Sequence, residues 1–392
     1  MEVSKINSTD QPSGLYIHIP FCIKKCAYCD FYSIPMCNVI PDYVDALIKE
    51  IHLKSDTAQK IDTIYFGGGT PSVLESNQIK QIYEAIKYNW DIDPHAEITL
   101  EANPGTITAD KLFGWKSSGI NRINMGIQSF HDKHLKQLGR IHTAYEAQQA
   151  VHLAQNAEFK NIGLDFIYGV PEQTLDEWEQ DLKKAISFHP KHLSCYSLTY
   201  EPGTLLYQKM KSKAIVPLLD EIVVQMIKKL LKVMDKNGFD HYETSNFAST
   251  PDFRSKHNQK YWQLKPYIGI GAASHSFSNN RRYWNYSDVT IYIKKLSQNL
   301  YPTEGCEELT SHQQMIEFLF LGLRTQQGIF IKEFERRFSI NFSKIFSVPL
   351  ENFTKDSYIE YSSDYCKLTR TGWFYLDSIV EQMVNCLTLK KK

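Results

Sequence analysis

The first two hundred residues alternate short apolar runs with amphipathic stretches, and this alternation limits the folds open to the chain. Strand-like runs occupy 15–19, 62–66, 97–101, 122–127, 162–168 and 192–199. Helical patterns lie between them, at about 41–55, 76–89, 108–117, 143–156 and 174–187. Strands that alternate with helices are typical of βαβ units, whose strands form a parallel sheet. The sequence therefore predicts an α/β fold.

The spacing of these segments does not separate two parallel architectures. About six repeats are too few for a complete eight-stranded barrel, so a partial barrel and a doubly wound open sheet both remain possible. In either case functional residues collect where the strands end. Distinctive polar and glycine residues occur near these predicted strand ends: Gly67, Gly68, Gly69, Thr70, Glu101, Gln128, Asp165 and Thr199. We expect a site at that rim.

Three cysteines follow the first predicted strand in C-x3-C-x2-C spacing: Cys22, Cys26 and Cys29. A cubane iron–sulfur cluster normally takes four cysteine ligands, so three would leave one iron open to a small chelating molecule. Three buried cysteines on one helix face are an alternative, which the neighbouring proline and aromatic residues disfavour. A structural zinc site completed by His18 or Cys37 is another, although neither has a usual zinc-ligand spacing.

Composition excludes several classes of protein. The chain has 392 residues with 44 basic and 44 acidic side chains, which argues against a dedicated nucleic-acid binder. Eight cysteines in a chain of this length do not indicate a disulfide framework, and clustered thiols favour a reducing compartment. There is no apolar signal segment, and the apolar runs are too short to span a bilayer. We predict a cytoplasmic protein, at most peripherally associated with a membrane.

The cysteine spacing, with Tyr28 before the last cysteine, resembles the signature of the radical S-adenosylmethionine (SAM) enzymes. That resemblance implies a partial (β/α)6 TIM-like barrel and a reducible [4Fe–4S] cluster ligated by Cys22, Cys26 and Cys29. It implies that SAM chelates the open iron through its amino and carboxylate groups. The cluster could then cleave SAM to a 5′-deoxyadenosyl radical, a chemistry that belongs to the cofactor. An electron donor for the cluster is an expected partner.

The glycine run and its surroundings resemble the coproporphyrinogen-oxidase-like branch of that superfamily. Glycines let a backbone approach a ligand closely, and the Lys-Ser/Thr of a phosphate loop is missing. Asn124 stands where the relatives usually carry serine, and we expect little consequence. The resemblance implies that the SAM site is lined by Tyr16, Tyr28, Gly68, Gly69, Thr70, Glu101, Gln128, Arg140, Asp165 and Thr199.

A second motif, H-N-x-x-Y-W, occupies residues 257–262. Imidazole is a good ligand for haem iron, but a histidine beside aromatic residues is more often a hydrogen-bonded structural residue, and the residues alone leave both readings open. The motif resembles that of the HemW branch, haem chaperones related to the oxygen-independent coproporphyrinogen oxidases. In that branch the motif is associated with haem binding, which implies His257, Tyr261 and Trp262 as haem contacts.

One position favours the chaperone branch over the oxidases. The oxidases extend their motif to C-x3-C-x2-C-x-C, whereas here Phe31 stands at the last place. The resemblance therefore implies a haem chaperone that hands haem to an unidentified acceptor protein. An oxygen-independent coproporphyrinogen III oxidase-like enzyme of porphyrin biosynthesis is the first alternative. A zinc- or cysteine-stabilised α/β protein without redox function is the second. No catalytic residue is assigned.

We predict three parts along the chain. Residues 1–203 form the radical SAM core with the cluster and SAM sites, and 204–303 form an extension that carries the H-N-x-x-Y-W motif. Residues 204–237 within it are predicted to be helical, with Pro217 near a helix start and Asn237-Gly238 as the stop. Residues 304–392 form a mainly helical domain with a small hairpin, which resembles the C-terminal domain of the same family. A winged-helix DNA binder is the alternative there, but no dense basic face supports it.

Overall fold

The structure is a computed structural model that describes residues 11–57 and 60–388. Its strands are β1 (Ser13–Ile19), β2 (Lys60–Gly68), β3 (Asp91–Ala102), β4 (Arg122–Gln128), β5 (Asn161–Tyr168), β6 (His192–Ser197), β7 (Asp240–His241), β8 (Asn246–Ala248), β9 (Tyr267–Ile270), β10 (His275–Ser278), β11 (Arg281–Asn285), β12 (Thr303–Glu308), β13 (Ile329–Phe330), β14 (Ile359–Tyr361) and β15 (Tyr365–Leu368). Its α-helices are α1 (Ile40–Leu53), α2 (Ser76–Asn89), α3 (Ala109–Ser117), α4 (Asp132–Leu138), α5 (Ala144–Asn156), α6 (Leu175–Ser187), α7 (Leu205–Lys211), α8 (Asp220–Lys236), α9 (Lys256–Trp262), α10 (Val289–Ser297), α11 (Ser311–Gly322), α12 (Ile331–Phe338), α13 (Phe342–Ile345), α14 (Ser347–Lys355) and α15 (Leu376–Thr388).

The six strands predicted from the sequence, β1 to β6, are parallel and lie side by side in chain order. Right-handed crossovers between neighbours then put every connecting helix on the same face of the sheet. A doubly wound sheet would instead reverse its strand order at a switch point. The observed order excludes the open doubly wound sheet and confirms the partial barrel. Strand β6 ends at Ser197, so Thr199 lies just beyond it.

The sheet continues past both edges of this barrel wall. Strand β9 pairs in parallel with β1, and β10, β11 and β12 follow it in antiparallel order. At the other edge, β8 pairs with β6 and β7 pairs with β8. The predicted extension, residues 204–303, therefore adds strands to the same sheet and shares its apolar core. Strand β12 begins at Thr303, so the predicted boundary between residues 303 and 304 falls inside a strand of this sheet.

The helical stretch predicted over 204–237 consists of two helices, α7 and α8. Pro217 lies in the break between them, three residues before α8 begins, and Asn237 caps the end of α8 as predicted. None of the helices in the described ranges is both long enough and apolar enough to cross a membrane.

Side chains of β1 alternate between the two faces of the barrel wall. Leu15, Ile17 and Ile19 are fully buried in the apolar core, whereas Tyr16 stacks on Tyr65 of β2 with ring centroids 6.2 Å apart. This alternation is the period of two expected of a strand. It gives the barrel an apolar outer layer and an interior lined by aromatic and polar side chains.

Helix α9 is tied to the strands of the barrel well before their carboxyl ends. The His257 amide donates to Glu97 Oε1 at 3.1 Å, and Lys260 Nζ pairs with Asp62 Oδ1 at 2.7 Å. A Cβ added at Gly14 would come within 2.8 Å of Lys260 Cδ and 3.2 Å of His257 Nδ1. A side chain near the start of β1 would therefore crowd α9, which packs directly against that backbone. We call α9 the floor helix of the barrel.

The C-terminal unit has its own apolar core, built from α11 to α15 and a three-stranded sheet in the order β13-β15-β14. Strands β14 and β15 form the predicted hairpin. Backbone hydrogen bonds join this unit to the barrel extension: Thr244 donates to the Arg324 carbonyl and Gln326 donates to the Tyr242 carbonyl, both at 3.0 Å. The unit is thus mainly helical with a small hairpin, as predicted.

A buried carboxylate holds the extension against the first helix. Glu50 of α1 is inaccessible to solvent; its Oε1 lies 2.6 Å from both Lys54 Nζ and Asn285 Nδ2. Its Oε2 accepts hydrogen bonds from the Gly271 amide at 2.8 Å and the Tyr292 hydroxyl at 2.5 Å. A buried charge is stable only when it is paired and hydrogen-bonded. Glu50 meets this condition, because its two oxygens contact four partners.

We predict that Glu50→Ala lowers the free energy of unfolding by about 3–5 kcal/mol, because it leaves Lys54 buried without its counter-charge. Chemical unfolding followed by circular dichroism measures the change. The control is Glu84→Ala, which removes an exposed partner of Lys87 (3.1 Å) and should change stability little. Equal effects of the two substitutions would contradict the role given to Glu50.

Candidate functional site

The loop that follows β1 is fixed at its base and at its tip. The Ile34 amide donates to the Pro20 carbonyl at 2.7 Å and closes the base of the loop. At the tip, the Ala27 amide donates to the Leu138 carbonyl at 2.9 Å, and the Leu206 amide donates to the Ala27 carbonyl at 2.7 Å. The three cysteines between these points are therefore carried on a segment held by backbone bonds to two other parts of the chain.

Cys22, Cys26 and Cys29 are free thiols, and all three line one cavity of about 920 Å³. Cys22 Sγ lies 3.3 Å from Thr70 Oγ1, and Arg140 donates from Nη1 to Cys26 Sγ at 3.3 Å. Burial, together with the neighbouring thiols, raises the pKa of Cys29. Three sulfur ligands on a fixed loop facing one cavity fit the cluster predicted from their spacing. We call this space the cluster cavity.

His18 and Cys37, the candidate fourth zinc ligands, are engaged elsewhere. His18 Nδ1 lies 3.1 Å from the Tyr16 hydroxyl and Nε2 lies 3.2 Å from the Tyr32 carbonyl. Burial lowers the pKa of His18 to about 4. Cys37 Sγ points to the Cys22 carbonyl at 4.0 Å. Within residues 11–57 and 60–388, no three His, Cys, Asp or Glu side chains surround a single metal position. Neither residue therefore completes a zinc site in this structure.

The glycine run packs against the start of the cysteine loop. The Gly69 amide donates to the Ile19 carbonyl at 2.8 Å, and a Cβ at Gly69 would lie 2.7 Å from the Phe21 carbonyl oxygen. Gly68 has φ of +112°, and a Cβ there would lie 2.7 Å from the His18 ring. Both positions need glycine, because the backbone of β2 touches the segment that carries the cysteines.

Two carboxyl groups inside the barrel are held in fixed hydrogen bonds. The Tyr65 hydroxyl donates to Glu101 Oε1 at 2.6 Å, and Asn124 Nδ2 donates to Asp165 Oδ2 at 2.6 Å. Burial raises the pKa of Glu101 to about 7 and raises the pKa of Asp165 as well. These are two acceptors whose charge depends on what binds beside them.

Several buried polar atoms in the cluster cavity have no hydrogen-bond partner: Gln128 Oε1, Asn124 Oδ1, Asp165 Oδ1 and Arg140 Nε. Such atoms are costly unless a ligand or water bonds to them. Gln128 also has φ of +67°, a strained conformation for a residue with a side chain. The cavity therefore suits a polar cofactor with both donors and acceptors.

The structure brings nearly all of the predicted SAM-site residues together. All of them except Tyr16 line the cluster cavity: Tyr28, Gly68, Gly69, Thr70, Glu101, Gln128, Arg140, Asp165 and Thr199. Tyr16 lies one layer deeper in the barrel, where it stacks on Tyr65. The roles of these residues in SAM binding stay a prediction.

Other residues of the cluster cavity were missed by sequence reasoning. Asn124 was set aside as a neutral replacement, although it bonds to Asp165 and lines the cavity. Tyr196 could have been predicted as a cavity residue from the alternation of side chains along β6. Arg324 and Asp377 come from the C-terminal unit, and no local pattern connects them with the barrel.

His257 lies inside the barrel rather than beside the cysteines. It is 1% exposed, with Nδ1 2.9 Å from Thr63 Oγ1 and Nε2 2.8 Å from the Tyr261 hydroxyl. Its ring stacks on Tyr65 with centroids 5.1 Å apart, and burial lowers the pKa of His257 to about 3. Both ring nitrogens are thus occupied, and the imidazole is neutral.

Trp262, on the same floor helix, faces the C-terminal unit. It lines a second cavity of about 310 Å³ together with Phe318 and Phe330, and its indole Nε1 is buried without a partner. The three residues of the H-N-x-x-Y-W motif therefore divide between two environments, and neither His257 nor Tyr261 reaches the cluster cavity.

Models of known protein families match both the barrel and the C-terminal unit of the chain. The sequence model of the radical SAM superfamily matches residues 16–185, and that of the HemN C-terminal domain matches 309–375. The chain is 33% identical to the haem chaperone HemW of Lactococcus lactis over 95% of this chain and 98% of that protein. It is 34% identical to the haem chaperone HemW of Haemophilus influenzae, over 94% and 97% respectively.

Among solved structures, coproporphyrinogen III oxidase (HemN) from Escherichia coli resembles this chain with a TM-score of 0.82. The likeness covers 95% of this chain and 90% of that one at 20% sequence identity. At that identity it concerns the fold alone. It agrees with the partial barrel and the attached C-terminal unit described above.

We predict that Cys26→Ala prevents assembly of a normal iron–sulfur cluster after anaerobic reconstitution with iron and sulfide, because a cubane with three protein ligands cannot lose another. Iron and sulfide content and the visible absorption measure the result. Cys37→Ala is the matched control, since Cys37 lies close by without lining the cavity. A normal cluster in the Cys26 variant would refute the ligand assignment.

Proposed function

Because the chain belongs to the HemW family of radical SAM proteins, we propose that it is a haem chaperone that binds a [4Fe–4S] cluster, SAM and haem and transfers the haem to an acceptor protein. The observation that carries this proposal is the cluster cavity, in which three free thiols face unpaired polar atoms. An electron donor, an acceptor protein and a cytoplasmic location are parts of the proposal. No nucleic-acid partner is included.

Cys22, Cys26 and Cys29 are the proposed cluster ligands. When bound, the cluster supplies a reducible centre with one iron open to the amino and carboxylate groups of SAM. The chain's own residues would hold SAM there. Glu101 can accept a hydrogen bond from the amino group, and Arg140 can donate to the carboxylate from Nε, which has no partner in the described part of the protein.

Phe31 supports the chaperone over an oxidase. It stands where the oxidases carry an additional cysteine, and in the structure it lines the cluster cavity with 71% of its side chain exposed. An apolar aromatic ring cannot ligate iron, but it offers a flat apolar surface to a ring system. The cavity therefore presents three thiols and an aromatic ring, where an oxidase would present a fourth cysteine.

The haem contacts expected at His257, Tyr261 and Trp262 stay a prediction, and the structure sets a condition on it. To ligate iron, His257 must give up its hydrogen bond to Thr63 or Tyr261 and leave the stack on Tyr65. Ligation at this residue therefore requires these side-chain contacts to be broken.

We predict that the reconstituted protein binds haem, with a Soret band, and passes it to a haem-free acceptor, while coproporphyrinogen III is not decarboxylated in the presence of SAM and reductant. Absorption spectroscopy and product chromatography measure the two outcomes. Formation of a decarboxylated product would contradict the chaperone function and favour the oxidase. If the protein forms no cluster that dithionite bleaches, the remaining alternative is a zinc- or cysteine-stabilised α/β protein without redox function.

We predict that SAM affinity falls about tenfold between pH 8 and pH 6, because a carboxyl group with a pKa of about 7 loses its charge over that range. The ionised Glu101 is the stronger acceptor for the amino group of SAM, so protonation weakens binding. Equilibrium dialysis of the reconstituted protein measures it. Glu101→Gln cannot titrate and should remove most of this dependence, which separates Glu101 from the titration of SAM itself. An unchanged pH profile in that variant would rule out Glu101.

A further inference from the structure

The cluster cavity has more lining residues than the predicted cluster and SAM sites use. Its volume of about 920 Å³ lies near the top of the ~300–1,000 Å³ typical of small-molecule sites. The predicted SAM residues line the barrel side of this space. The part of the cavity that we call the mouth is lined by residues outside the predicted cluster and SAM sites: Phe31, Tyr196, Leu198, Arg324 and Asp377. These residues are available to a second ligand.

Arg324 enters the mouth from a fixed base. It follows helix α11, and its carbonyl accepts a hydrogen bond from the Thr244 amide at 3.0 Å. Its guanidinium carbon lies 4.0 Å from the centroid of the Phe320 ring, a stacking contact that orients the planar group. The charge is thus held in place before any ligand arrives.

The donors of Arg324 are only partly used. Nη2 lies 3.3 Å from Asp377 Oδ1, and the Asp377 side chain is 86% exposed. Within the described part of the chain, Nε is buried without a partner. An exposed single contact of this kind contributes little, whereas a guanidinium binds a carboxylate best through two parallel hydrogen bonds. Arg324 can therefore exchange Asp377 for an incoming carboxylate.

We propose that Arg324 binds a carboxylate of a second, larger ligand at the mouth of the cluster cavity. The inference rests on the proposed haem chaperone function, under which the ligand is haem and the carboxylate is one of its propionates. Phe31, Tyr196 and Leu198 offer aromatic and apolar surface to the porphyrin ring. The mouth thus combines a flat apolar wall with one fixed cation.

This site and ligation by His257 are alternatives. The hydrogen-bonded pair of Tyr65 and Glu101 separates the cluster cavity from His257, which stacks beneath Tyr65. The second cavity, beside Trp262, has about one third of the volume, at 310 Å³ against 920 Å³. The arrangement of the described residues favours the mouth of the cluster cavity.

The experiment compares two ligands on matched variants of the reconstituted, SAM-loaded protein. Iron protoporphyrin IX and its dimethyl ester differ only in whether the propionates carry charge, and titration at the Soret band gives Kd for each. The variants are Arg324→Gln, His257→Ala and, as control, Arg370→Gln, which removes an exposed arginine paired with Asp235 outside the cavity. SAM affinity is measured on the same samples.

We expect the unsubstituted protein to bind the free acid at least about tenfold more tightly than the ester. Arg324→Gln should lose this preference and keep its SAM affinity, and Arg370→Gln should behave like the unsubstituted protein. If Arg324→Gln does not fold, Arg324→Lys keeps the charge without the planar fork and should show a reduced preference.

Each of the following outcomes overturns the proposal. A free-acid preference that survives in Arg324→Gln excludes Arg324, and its loss in His257→Ala alone would place haem at the floor helix. A loss of SAM affinity in Arg324→Gln would assign the residue to the carboxylate of SAM. If the unsubstituted protein binds both porphyrins equally, the inference falls while the chaperone function stands. If it binds neither, both fall.

Discussion

The hydrogen bond from the Gly69 amide to the Ile19 carbonyl, 2.8 Å long, joins the ends of β1 and β2 and determines where the cysteines lie. It is possible only because Gly69 has no side chain, since a Cβ would meet the backbone of Phe21. The contact places Cys22 beside Thr70, and the loop then continues around the cavity to Cys26 and Cys29. The glycine run and the cysteine motif are therefore one structural unit, although they are separated in the sequence.

Much of this arrangement is predictable from the sequence, because it depends on local periodicity and one rule of topology. Apolar alternation locates β1 to β6, and parallel strands bring Glu101, Gln128 and Asp165 to a common cavity. The contacts that escaped prediction join distant segments: β9 beside β1, His257 beneath Tyr65, and Arg324 at the cavity mouth. No local pattern encodes such pairings, since they depend on how whole elements pack.

Polar groups inside the barrel are of two kinds, those with hydrogen-bond partners and those without. His257 has a partner at each ring nitrogen and forms part of the packed floor. Gln128, Asp165 and Arg140 each retain an unpaired buried atom, and all three face the cluster cavity. Because an unpaired buried group costs stability, these atoms mark where binding energy is available. His257 and the carboxyl group of Asp165 therefore have different surroundings.

The position of β1 has a consequence for how the protein is made. This strand carries the cysteine loop and pairs with β2 on one side, but its other neighbour, β9, begins only at Tyr267. On the ribosome, β1 therefore has an open edge until most of the polypeptide has been synthesised. Open edges invite pairing with other chains, and contacts between distant segments slow folding. The barrel is consequently completed late, and a fragment that stops before β9 leaves the strand that carries the cysteine loop uncovered.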